Sequence, residues 1–135
     1  MKLKACAVLM AILAAGCISV KMDRGAVVVN DEGEGVLRHV VLFRFKEGTT
    51  PEQIAEIEKG FRKLPVEIEQ IKDFEWGTDI GTENLADGFT HCFLVTFENE
   101  DARDTYVAHP AHKEFAASLK PHLDKVLVID YLARE

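Results

Sequence analysis

A chain of 135 residues has room for one domain, and its formal net charge of −7 repels nucleic acid and anionic lipid surfaces. Its three cysteines, Cys6, Cys17 and Cys92, are too few and too scattered for a disulfide framework.

The N-terminus begins with Lys2 and Lys4, continues through an apolar run from Ala5 to Ala15 and ends in Gly16-Cys17. A basic start, a short apolar segment and small residues describe a signal peptide. The run is shorter than the roughly 20 residues that span a bilayer. Leu13-Ala14-Ala15-Gly16-Cys17 resembles a bacterial lipobox, in which cleavage before the cysteine leaves Cys17 for lipidation. Ordinary secretion and an uncleaved anchor are the alternatives. The expectation is an exported chain in a bacterial cell envelope, touching the membrane only through the lipid. Ile18, rather than an acid, after Cys17 points to the outer membrane. Cleavage before Cys17 removes two lysines and none of the 23 acids, which makes the mature charge about −9. Residues 18–35 are polar, contain Gly33-Glu34-Gly35 and lack periodicity, as a tether does.

Residues 36–135 carry the foldable pattern. Val36 to Lys46 reads as a strand with apolar residues on both parities, so both its faces need cover. Thr50-Pro51-Glu52-Gln53 opens a helix with a capping box and a first-turn proline. Ile54, Ile57, Phe61 and Leu64 follow at helical spacing, and Pro65 is expected to stop it. A short link through Ile68 and Ile71 leads to a strand from Phe74 to Ile80, and Gly81 to Gly88 reads as a loop. Phe89 to Phe97 alternates again, with His91 on the parity of Phe93 and Val95. Asn99 caps a helix broken at His109-Pro110. A further helix carries His112, Phe115, Ala116 and Leu119 on one stripe, and Lys125 to Leu132 closes the domain as a strand.

This order, β-α-β-β-α-β with a split second helix, is α+β and ferredoxin-like, with helices on one sheet face. The other face needs a cover, and a second copy of the same sheet supplies it; the expected partner is therefore itself, as a homodimer forming a dimeric α/β barrel.

Candidate chemistry rests on histidines. His39 and His91 sit mid-strand on apolar faces, and His112 lies on an apolar helix stripe near Tyr106. Each alone is more simply a hydrogen-bonded core residue. Three together suggest a polar pocket in an apolar shell, because buried imidazole needs partners and titrates near neutrality. Trp76 is a packing residue or part of that pocket. His109 reads as a turn residue and His122 as solvent-facing. His109-x-x-His112 has ligand-like spacing, but Pro110 breaks its register, so no metal is expected. Cys92 lies on the parity opposite His91 and reads as a small core residue. Neither a phosphate loop nor a nucleophile elbow is present.

Several segments resemble one family: Arg38-His39-Val40-Val41-Leu42-Phe43-Arg44-Phe45, Asp73-Phe74-Glu75-Trp76-Gly77, Gly88-Phe89-Thr90-His91, Tyr106-Val107-Ala108-His109-Pro110-Ala111-His112 and Leu127-Val128-Ile129-Asp130-Tyr131. Together they are similar to the stress-responsive A/B barrel (Dabb) domain across residues 36 to 135. The resemblance implies a ferredoxin-like dimer, and most such proteins have no assigned reaction. Its plant polyketide cyclases imply roles here. His112 would be a general base alpha to a carbonyl, Tyr106 would hydrogen-bond the carbonyl oxygen, and His39 and His91 would orient substrate. The expected ligand is a small apolar carbonyl or aromatic compound, handled without a cofactor. The rival is a non-catalytic, stress-related envelope protein whose histidines are structural. Haem chemistry is a third possibility, by fold analogy alone.

Overall fold

The computed structural model describes residues 35–134. The segment expected to be a signal peptide, Cys17 and nearly all of the expected tether lie outside the described residues. Elements run β1 (Leu37–Phe45), α1 (Pro51–Glu67), β2 (Asp73–Thr78), β3 (His91–Phe97), α2 (Glu100–Ala108), α3 (Pro110–Leu119) and β4 (Leu123–Leu132). The strands form one antiparallel sheet in the order β2-β3-β1-β4, the ferredoxin-like α+β architecture.

Register decides which side chains meet. Leu37, His39, Val41 and Phe43 of β1 alternate into the core and pair with Phe97, Val95, Phe93 and His91 of β3. Across β1's other edge, His39 faces Asp130, Val41 faces Val128 and Phe43 faces Val126. The core is aromatic: Phe61 of α1 stacks on Phe93 at 4.3 Å between centroids, with Phe43 and Phe115 beside them. Gly60 admits the Phe115 ring, because a Cβ there would stand 3.1 Å from it.

The opposite sheet face presents Val40, Leu42, Leu94, Leu127, Ile129 and Tyr131, and no helix covers it. Leu127, Ile129 and Tyr131 are 40 to 49% exposed. Cys92 is exposed on this face rather than a core residue, because it pairs with Leu42, whose parity points away from the helices.

Several boundaries differ from the sequence expectation. Pro65 lies inside α1 and does not end it, since a proline removes only its own N–H; the last turn still closes through Ile68 N–H to the Leu64 carbonyl at 2.9 Å. The link through Ile68 and Ile71 is a turn, with Ile71 N–H on the Ile68 carbonyl. Strand β2 stops at Thr78, where Asp79 turns to accept the Gly81 N–H, and Ile80 is 92% exposed. Strand β3 starts at His91, because Gly88 at φ 77° sets a turn in which Phe89 N–H bonds the Ala86 carbonyl. Strand β4 begins at Leu123, ahead of the expected Lys125. His122 is half-buried, its N–H on the Leu119 carbonyl.

Candidate functional site

The break between α2 and α3 positions the first two site residues. His109 is the N-cap of α3, its Nδ1 accepting the Ala111 N–H at 3.2 Å, and Pro110 fills the first turn. Tyr106 therefore stands in the last turn of α2 and His112 in the first turn of α3, with rings 4.4 Å apart. His39 reaches the same place from β1, 5.8 Å from the Tyr106 ring. These three line one cavity of about 550 Å³, enclosed mainly by Phe115, Leu119, Val126 and Val128.

Hydrogen bonds fix the state of each group. His112 Nδ1 lies 3.1 Å from the Val107 carbonyl, which can only accept, so Nδ1 carries the proton and Nε2 of the neutral ring keeps its lone pair. Burial lowers the His112 pKa from its ordinary 6.5, the Val107 bond opposes this, and nearby His39 adds to the lowering. Tyr106 is 1% exposed, and burial alone pushes its phenol well up, so the hydroxyl remains a donor. His39 Nδ1 is 2.6 Å from Asp130 Oδ1, and Asp130 Oδ2 accepts from Arg103 at 2.8 Å. The carboxylate thus orients His39 with Nδ1–H as donor, in the manner of a base supported by a third group. The arrangement offers a base, a neutral donor and an oriented imidazole against an apolar wall.

His91 and Trp76, expected beside the others, do not line this cavity. They share the helix-side face of the sheet, but His91 lies toward β2, with its ring parallel to Trp76 at 6.4 Å. Both His91 nitrogens are occupied, Nε2 by Glu58 at 2.9 Å and Nδ1 by Thr90 at 2.8 Å. Trp76 lines a separate shallow depression with Arg62 and Pro65. Cys92 faces away from the cavity, and desolvation together with Glu75 raises its thiol pKa, which disfavours the thiolate. Among the described residues no group of three or more His, Cys, Asp or Glu could hold a metal ion. Sequence reading missed Asp130, Arg103 and the Val107 carbonyl. Asp130 carried one signal, a charge among apolar neighbours on the closing strand.

Comparison with known proteins gives a consistent set. Residues 37–133 match the stress responsive A/B barrel domain, Dabb. A stress-response A/B barrel domain-containing protein of Arabidopsis thaliana is 50% identical over 75% of this chain and 93% of its own length. Olivetolic acid cyclase of Cannabis sativa is 33% identical over 73% and 98%. Among solved structures, hydroxynitrile lyase from Passiflora edulis superposes with a TM-score of 0.72 at 32% identity, covering 76% of this chain and 96% of that one. A dimeric ferredoxin-like protein of unknown function from Thermobifida fusca gives 0.64 at 27% identity, over 73% and 92%.

Proposed function

The chain belongs to the stress responsive A/B barrel domain family, and we propose that its cavity binds a small apolar carbonyl or aromatic compound and acts on it by cofactor-independent acid/base catalysis. One observation carries this reading: an imidazole held as a base by the Val107 carbonyl, in ring contact with a buried phenol. His112 Nε2 removes a proton alpha to a carbonyl, and Tyr106 donates a hydrogen bond to the oxygen as charge develops there. His39, backed by Asp130, orients the carbonyl compound. Relatives named as a cyclase and a lyase support this class of chemistry.

The test is exchange of the alpha protons of an apolar β-diketone in deuterated water, followed by NMR. Wild type is expected to accelerate exchange, and His112→Ala to lose about 10² to 10³ of that acceleration. No acceleration by wild type would leave the non-catalytic reading, which the fully partnered His91 already favours for that residue.

Two further proposals concern context. The chain works as a homodimer, joined through the uncovered sheet face. Cys17 carries lipid and tethers the domain in a bacterial envelope; radioactive palmitate should label wild type and not Cys17→Ser, and equal labelling would end that reading.

A further inference from the structure

We propose that the cavity selects ligands bearing an anionic group, a carboxylate above all, opposite the end that would be deprotonated, and that Lys120 is the residue that reads it. This rests on the proposed reading of the cavity as a ligand site and names the class of compound it takes.

The cavity is a trough with chemically distinct ends. On α3 and its C-cap the residues lining it are His112, Phe115, Ala116, Leu119 and the cap residue Lys120, at steps of three and four, one face of the helix. His112 and Lys120 are eight residues apart, about 12 Å along the axis. Facing them on β4 are Val126 and Val128, alternate residues of one strand face. A ligand reaching from His112 to Lys120 therefore crosses an apolar floor and meets charge only at its far end.

That far end is cationic in an acidic protein. The chain carries −7 overall, yet Lys120 and Lys125 line this end beside Asp124, and Arg44, Lys46 and Asp87 bond to Asp124, the Lys120 carbonyl and Lys125 respectively. Both carboxylates are already engaged. Asp124 lies 2.6 Å from Arg44, and Asp87 is shared by Arg44 and Lys125 at 3.5 Å. Lys46 Nζ donates to the carbonyls of Lys120 and Pro121, neutralising the negative end of α3. Lys120 has no part in any ion pair among the described residues, although it lines the cavity and is exposed to solvent. A cation without a carboxylate, at the mouth of an apolar trough, is the arrangement that would receive a carboxylate from a ligand.

The experiment measures calorimetric binding of decanoate and of its neutral isostere decanamide to the full chain. Wild type is expected to bind decanoate more tightly, with the difference shrinking as salt rises. Lys120→Gln should weaken decanoate about fivefold, leave decanamide unchanged, and be rescued by Lys120→Arg. Ala116→Trp, which fills the trough, should abolish both. Equal affinities for the two probes, or a Lys120→Gln effect on both, overturns charge selection while the ligand-site reading stands. Binding that survives Ala116→Trp places the probes elsewhere and overturns this inference. No binding of either probe removes both readings together.

Discussion

His39 Nδ1 and Asp130 Oδ1 stand 2.6 Å apart across β1 and β4, although 91 residues separate them in sequence. Arg103, from α2, holds the other carboxylate oxygen at 2.8 Å, so one aspartate ties a central strand, an edge strand and a helix to a cavity residue. Asp130→Ala leaves the buried His39 Nδ1–H without its acceptor. The expected cost is about 1–3 kcal/mol of stability, read by denaturant unfolding, together with weaker ligand binding. A variant as stable as wild type would show the pair to be incidental.

His112 and His91 should separate cleanly. His112 is half-buried with one nitrogen available, whereas His91 is 7% exposed with both nitrogens bonded. His112→Ala and Tyr106→Phe are expected to reduce proton exchange about 10²-fold or more with nearly unchanged melting. His91→Ala should do the reverse, losing about 1–3 kcal/mol as the Glu58 carboxylate is left without its partner. Equal effects of His91→Ala on exchange would bring His91 into the chemistry.

The pH dependence follows from the lowered His112 pKa. A base with a depressed pKa stays unprotonated in the folded protein below its ordinary value of 6.5. The proposed exchange activity should therefore persist as pH falls through 6.5 and disappear only at more acid pH. Stability carries the same sign. Below 6.5 the unfolded chain binds a proton that folded His112 refuses, so this residue's contribution is present above that pH and lost as pH falls. His112→Gln should flatten that part of a stability–pH curve. A wild-type activity limb at or above 6.5 would contradict the burial argument.

The sheet was readable because strands and helices write their periods into hydrophobicity. The stripe His112, Phe115, Ala116, Leu119 faces inward as expected, and the alternation Leu37, His39, Val41, Phe43 proves to be the parity that the helices cover. Parity could place His39 and His91 on one sheet face but not on one site. Helix α1 supplies Glu58 to His91, while α2 and α3 supply Tyr106 and His112 to His39, and that division depends on helix docking rather than on local pattern. Asp130 was hidden for a related reason. Its role comes from strand register across β1 and β4, a long-range property that no window of sequence contains.

The uncovered sheet face makes the last prediction. Val40 lies at its centre, paired with Leu94 on one side and Ile129 on the other, and with Leu42, Leu127 and Tyr131 these make a patch of six side chains that no helix covers. Monomeric proteins rarely leave such a patch in water. A second sheet laid on it would bury these residues in an interface related by two-fold symmetry, where Val40 meets the partner's equivalent surface. Light scattering at micromolar concentration should find a dimer. Val40→Asp would place a charge in the middle of that apolar interface, and the dimer should dissociate. Val66 provides the control, since it is 89% exposed on α1 and away from the sheet. Val66→Asp should stay dimeric and melt like wild type. A monomeric wild type would contradict the homodimer, and a Val40→Asp dimer as tight as wild type would move the interface to another surface.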